Sequence, residues 1–248
     1  MKIGGLEKLS LIDYPGKIAA TVFVAGCGFR CGWCHNSELV LPEKIRNQPE
    51  IEEKDLFDFL DFRKGLLEGV CLTGGEPSLY SDLPVFIKKI KQKGFLVKLD
   101  TNGSNPKMLK KLLEERLLDF VAMDIKSSPE KYPQAIGMWE AKLPTSKCGK
   151  LSFPHLSDNI QKSVDLIRQS KIDYEFRSTI IPGLIDKKEI KKIGQWIRGA
   201  KCFALQQFRP EKTLDKAFQK IRPYSENKLK ALVKIINPYV EKTVLRGI

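Results

Sequence analysis

Two patterns of apolar and polar residues alternate along the chain. Short β-rich runs lie at 19–26 (AATVFVAG), 69–73 (GVCLT), 95–100 (FLVKLD), 119–125 (DFVAMDI), 172–180 (IDYEFRSTI) and 202–208 (CFALQQF). Between them, apolar residues recur at the spacing of one helix face. Leu83, Phe86, Ile87 and Ile90 form one such stripe, and Ile160, Val164 and Ile167 form another. Leu109, Leu112 and Leu113 follow Asn105–Pro106, a capping residue with proline at the first helical position. Asp186 and Glu189 have capping-box spacing ahead of Ile190, Ile193 and Ile197. A last helix is expected from about Ser225 to Ile236.

Strands that alternate with helices imply βαβ units and a parallel sheet. Six units predict an α/β fold, a partial (β/α)6 TIM-like barrel that is open or incomplete. The chain reads as one domain over 1–248, with a core at about 17–210 and a C-terminal helical extension at 211–248. Residues 128–157 carry four prolines and little periodicity, as a functional loop or lid would.

The expected strands end in polar residues: Gly-Gly-Glu after Thr73, Asp100-Thr101-Asn102, Asp124 with Lys126, Arg177 with Thr179, and Gln206-Gln207. Period two puts Lys98 with Asp100, and Arg177 with Thr179, on one strand face. Parallel barrels bind ligands at that end of the strands, whereas a purely structural sheet prefers apolar residues on both faces.

The 248 residues are 42% hydrophobic and 29% charged, an ordinary globular balance. No apolar run approaches the roughly 20 residues that span a bilayer, and the first residues lack the pattern of a signal peptide. A cytoplasmic protein is therefore expected. A net charge of +13 and a pI near 9.4 suit nucleic acid, an acidic protein partner or simply a lysine-rich surface. The lysines are spread along the helices with no RNA-binding signature, which favours the last reading, so a nucleic-acid partner is not expected.

Three of the six cysteines, Cys27, Cys31 and Cys34, are spaced C-x3-C-x2-C in VFVAGCGFRCGWCHN. Such a cluster of reduced thiols points to metal or catalysis. Zinc would need a fourth ligand from His35, His155 or Cys148. An iron–sulfur cube on three cysteines would leave one iron open to a ligand. Cys71 and Cys202 read as small buried hydrophobes, and Cys148 sits in the basic TSKCGK stretch.

The run from Cys27 to Cys34, with Trp33 before the third cysteine, resembles the cluster motif of radical S-adenosylmethionine enzymes. GGEP at 74–77, LDTNG at 99–103, MDIK at 123–126 and FRSTIIPG at 176–183 match that family in order. LSLIDYPGK, HNSELV and LQQFRP resemble one branch, the activating proteins of anaerobic ribonucleotide reductase, relatives of pyruvate formate-lyase activase.

The resemblance implies one [4Fe–4S] cluster on Cys27, Cys31 and Cys34, with S-adenosylmethionine on its open iron. A 5′-deoxyadenosyl radical would then take a hydrogen from a glycine of a partner enzyme. By the same resemblance, Gly74, Gly75 and Glu76 receive the methionine amino group. Asp100, Thr101, Asn102, Asp124 and Lys126 line the cofactor pocket, and Asp100, Thr101 and Asp124 are candidates for a monovalent cation. Arg177, beside Thr179, meets the methionine carboxylate or ribose, Gln206 and Gln207 the adenosine, and Trp33 packs near the adenine or shields the cluster. Plainer readings exist: a core aromatic for Trp33, a β-to-α turn for GGEP, helix caps for Asp100 and Asn102, and a salt bridge to Glu175 or Asp124 for Arg177.

Expected partners are a glycyl-radical enzyme, anaerobic ribonucleotide reductase first, and a flavodoxin- or ferredoxin-like electron donor. The alternatives are another glycyl-radical enzyme as target, or a radical enzyme acting on a small molecule or RNA, such as a 7-carboxy-7-deazaguanine synthase. A zinc-bound interaction module is the third, and it leaves GGEP, LDTNG and MDIK unexplained.

Overall fold

The computed structural model describes residues 1–137 and 153–248, without the side chains of 153–155. Half of the irregular stretch expected at 128–157, including Cys148, lies outside the described residues, as does the side chain of His155. The chain divides into two compact units. One comprises Met1–Gly28, Asn36–Ala122 and Gln169–Asp173; the other comprises Phe29–His35, Met123–Arg168 and Tyr174–Ile248.

The first unit contains β1 (Ile3–Ser10), β2 (Ala19–Val24), α1 (Glu53–Phe62), β3 (Gly69–Gly74), α2 (Leu83–Gln92), β4 (Leu96–Thr101) and α3 (Pro106–Glu114). Strand β5 (Phe120–Asp124) begins in this unit and leaves it after Ala122. Strands β2, β3 and β4 run parallel, with Thr21 opposite Cys71 and Cys71 opposite Lys98. The expected stripe of α2 is buried at Leu83, Phe86, Ile87 and Ile90, each worth roughly 1.5–3 kcal/mol on transfer from water. Asn105 caps α3 as expected: its Oδ1 accepts the Met108 N–H at 3.2 Å, and Pro106 follows it.

Two elements here escape sequence reasoning. Strand β1 pairs antiparallel with β2, and its pattern is blurred because only Ile3 and Ser10 of its eight residues are buried. Helix α1 buries only Leu56 and Leu60, while Phe62 is 79% exposed, so its aromatic residues do not mark a single face.

The second unit contains α4 (Phe153–Gln169, whose last residue belongs to the first unit), β6 (Asp173–Ile180, whose first residue does), α5 (Lys187–Trp196), β7 (Phe203–Gln207), α6 (Glu226–Ile236) and β8 (Thr243–Arg246). Strands β6, β7 and β8 are parallel, with Thr179 opposite Gln206 and Gln206 opposite Arg246. In chain order, β2 to β7 are each followed by one of the helices α1 to α6, so the six-unit pattern is present among the described residues. The C-terminal extension is not purely helical, since β8 follows α6; four half-buried residues carry too little pattern to announce a strand.

The capping box at α5 is half realised. Asp186 Oδ1 accepts the N–H groups of Lys188 and Glu189 at 2.8 and 2.9 Å. Glu189, only 1% exposed, turns its carboxylate away to accept the Ser128 hydroxyl at 2.5 Å and to meet Lys131 at 3.4 Å. Among the described residues no helix is long and apolar enough to cross a membrane.

Candidate functional site

In the first unit the residues expected in the site stand at the ends of β2, β3 and β4. The backbone between β2 and β3 is drawn too close for side chains. Gly74 has φ +111°, and a Cβ on Gly75 would stand 2.0 Å from the Gly26 oxygen. Gly75 and Glu76 donate their N–H groups to Val24 and Gly26, each at 2.7 Å. Asn36, from HNSELV, donates its amide to the Gly74 oxygen at 3.1 Å, so it fixes the same turn.

Glu76 is fully buried and faces the next strand end. Its Oε1 accepts Thr101 Oγ1 at 2.7 Å and the Ser78 N–H at 3.1 Å, and its Oε2 accepts the Asn102 N–H at 2.6 Å. Burial pushes the Glu76 carboxyl above the usual range, and these three donors pull the other way. The Asn102 amide in turn faces the sulfur of Cys27, with Nδ2 to Sγ at 3.6 Å.

Asp100 lies on the opposite face of β4 from Thr101 and pairs with the ammonium of Lys98. Lys98 also donates to the sulfur of buried Cys71 at 3.6 Å. Cys71 thus fits the expectation of a small buried residue, whereas Cys202 is only half-buried.

In the second unit the rest of the cysteine loop is clamped by later segments. The Cys34 N–H bonds the Cys31 oxygen at 3.0 Å, Arg30 donates to the Ile136 oxygen at 2.9 Å, and Asp215 donates to the Gly32 oxygen at 2.9 Å. A Cβ on Gly32 would meet the Phe218 ring at 2.2 Å. Trp33, 5% exposed, packs on that ring with centroids 5.8 Å apart. His35 directs Nε2 to the Arg209 oxygen at 2.9 Å. Burial pushes the Cys31 thiol up to about 12, and the Lys126 ammonium opposes that shift.

Asp124 is the electrostatic centre of this unit. It pairs with Arg177 through Oδ1 and with Lys126 through Oδ2 at 2.7 Å. Burial alone would raise its pKa, yet the two cations outweigh burial and hold the carboxyl well below the usual range. Arg177 therefore makes the salt bridge to Asp124, while Glu175 takes a two-pronged pair from Arg246 at 2.6 and 2.7 Å. The buried hydroxyl of Tyr132 accepts the Lys126 backbone N–H at 3.3 Å and donates to the Asp124 backbone carbonyl at 3.2 Å, a clasp that no periodicity announced. Thr179 is half-buried on the Arg177 face. Gln207 donates to the Tyr224 oxygen at 2.7 Å and keeps a buried Oε1 with no protein partner among the described residues.

Asp100 and Asp124 thus each already hold a cation of the chain, and Thr101 donates its hydroxyl to Glu76. Those three residues, read from sequence as holders of a monovalent cation, are otherwise engaged here. Among the described residues no three His, Cys, Asp or Glu side chains lie together as a metal site. The donor set still fits an iron–sulfur cluster: three cysteines on a tight, glycine-rich loop, two of them half-buried, with an amide donor aimed at one sulfur.

The family model of the Radical SAM superfamily matches residues 21–197. The chain belongs to the Radical SAM superfamily. A Methanocaldococcus jannaschii protein named as a glycyl-radical enzyme activating enzyme is 33% identical, over 99% of this chain and 96% of its own length. Pyruvate formate-lyase-activating enzyme of Clostridium pasteurianum is 30% identical over 86% of this chain and 83% of its own. The chain is thus a radical SAM enzyme of the glycyl-radical activating group. Streptococcus suis SuiB, in its S-adenosylmethionine complex, superposes with a TM-score of 0.62 at 14% identity, covering 90% of this chain. This chain spans about half the length of SuiB, 49%, and the likeness shows the shared fold. That fold is the partial barrel expected from the six strand–helix units. The cofactors of this superfamily are a [4Fe–4S] cluster and S-adenosylmethionine.

Proposed function

We propose that this radical SAM enzyme activates an anaerobic ribonucleotide reductase by removing a hydrogen atom from a glycine α-carbon of that partner. The observation that carries the activase reading is the match, along nearly the whole of both chains, to a protein named as a glycyl-radical enzyme activating enzyme. LSLIDYPGK, HNSELV and LQQFRP favour the reductase as target. The identity to the Clostridium enzyme favours pyruvate formate-lyase, which is therefore the second reading.

In this reading Cys27, Cys31 and Cys34 hold the cluster. When bound, the cluster and S-adenosylmethionine supply one-electron cleavage of a sulfur–carbon bond and a 5′-deoxyadenosyl radical. The backbone of Gly74 and Gly75 receives the methionine amino group, and Glu76 holds that turn to the next strand. Lys126 and Arg177, fixed on Asp124, offer positive charge to the methionine carboxylate. Thr101, Asn102 and Asp100 at the end of β4, and Thr179, Gln207 and Trp33 in the second unit, are each proposed as contacts of S-adenosylmethionine. A flavodoxin or ferredoxin in the cytoplasm is the proposed donor.

Anaerobic reconstitution with iron and sulfide, followed by reductant and S-adenosylmethionine, should yield 5′-deoxyadenosine. A glycyl signal in electron paramagnetic resonance should appear with a ribonucleotide reductase from the same organism and not with a pyruvate formate-lyase. The reverse partner preference would replace the target, and stoichiometric zinc in anaerobically purified protein would overturn the cluster reading.

A further inference from the structure

We infer that Asn102 is a positioning residue for the metal centre, raising its reduction potential through a hydrogen bond from its carboxamide to the sulfur of Cys27. The inference rests on the proposed reading of Cys27 as a cluster ligand. Asn102 is held by two hydrogen bonds. Its backbone N–H goes to Glu76 Oε2 at 2.6 Å, and its Oδ1 accepts the Ser104 N–H at 2.9 Å. A backbone donor on Oδ1 settles which end of the amide is nitrogen, so the NH2 group is the one that faces Cys27 Sγ at 3.6 Å.

The support behind it is equally fixed. The second oxygen of Glu76 is taken by Thr101 and Ser78, and Thr101 Oγ1 accepts the Gly103 N–H at 3.1 Å. Asn102 is 6% exposed, so little water competes for the sulfur on that side. The buried carboxylate of the GGE turn therefore orients the donor, and the donor acts on the ligand.

A donor to a thiolate ligand favours the state with more negative charge, which is the reduced cluster. Removing it should lower the potential, and replacing the amide with a carboxylate should lower it further. Reconstituted wild type, Asn102→Ala and Asn102→Asp, poised at set potentials and read by electron paramagnetic resonance, should rank in that order. For Asn102→Ala the reduced-to-oxidised ratio at one poise should fall about tenfold, a midpoint lower by about 59 mV for a one-electron couple.

Equal midpoints in variants that hold the full cluster overturn the inference. Should the variants not hold a cluster, wild type grown with asparagine labelled with nitrogen-15 at the side-chain amide answers the question. Asn102 should then give a hyperfine coupling in the reduced cluster, since the Asn36 amide is turned to the Gly74 oxygen. No such coupling also overturns the inference. A full four-iron cluster in Cys27→Ala would overturn it together with the ligand reading, and iron content distinguishes the two failures.

Discussion

The ammonium of Lys98 rests on the carboxylate of Asp100, two residues along the same face of β4, where Lys98 is only 1% exposed. Desolvating both groups is expensive, so removing one partner is worse than replacing both. Lys98→Met should cost about 3–5 kcal/mol in chemical denaturation, because it removes the buried ammonium that pairs with Asp100. Lys98→Met with Asp100→Leu should recover most of that loss, and a strictly additive double variant would refute the pairing.

That pair also marks what the sequence could and could not disclose. Period two put Lys98 and Asp100 on one face, and the polar strand ends marked one end of the sheet as the expected site. Strands β2 to β7 and most helices were legible because Leu83, Phe86, Ile87 and Ile90, and their counterparts, recur at their proper periods. Pairing between elements was not legible. Nothing in GGEP says that Glu76 will bury itself under Thr101 and Asn102, and nothing in MDIK says that Tyr132 will close over it. Arg177 had two acidic candidates in sequence; it pairs with Asp124, while Arg246 from β8 takes Glu175. Strand β1 was hidden because its antiparallel partner, not its own alternation, defines it.

Tyr132→Phe removes one hydroxyl that serves both sides of the Asp124–Lys126 turn. The Lys126 N–H and the Asp124 oxygen lose that partner, at a cost of about 1–3 kcal/mol in thermal or urea unfolding. Because the turn carries the grip on Arg177, S-adenosylmethionine affinity of the reconstituted enzyme should also fall, measured by equilibrium binding. Unchanged stability and affinity would show that the clasp is idle.

Asp186 gives a pH-dependent contribution whose sign is fixed. The N–H groups of Glu189 and Lys188 hold its carboxyl below the usual range. A depressed folded-state pKa stabilises above the unfolded value, near 3.9, and that stability is lost as pH falls toward the depressed value. Asp186→Ala should cost about 1 kcal/mol at pH 7, and the gap to wild type should narrow below about pH 4. A gap that widens in acid would contradict the cap.

The net charge of +13 suits an acidic redox donor. Cofactor cleavage driven by a reduced flavodoxin should slow steeply between low and physiological salt, as screening shortens the reach of surface charge to about 8 Å. Cleavage driven by dithionite should change little over the same range. Matching salt dependence for both reductants would place the slow step elsewhere.

Two glycines of the proposed site should fail for different reasons. Gly75→Ala drives a methyl group to 2.0 Å from the Gly26 oxygen, so β2 and β3 must part at their ends, with loss of the 2.7 Å bonds from Gly75 and Glu76. Gly32→Ala instead meets the outer atoms of the Phe218 ring at 2.2 Å, which a side-chain rotation can relieve. Backbone obstruction is the harder one to relax. Gly75→Ala should lose more than about 2 kcal/mol of stability and most of the iron bound on reconstitution. Gly32→Ala should retain more iron than Gly75→Ala, and shortening the ring in Gly32→Ala with Phe218→Leu should restore part of the loss. Iron-to-protein ratios and unfolding midpoints for the three proteins decide it: equal losses in both single variants would mean that Phe218 is as immovable as the strand ends.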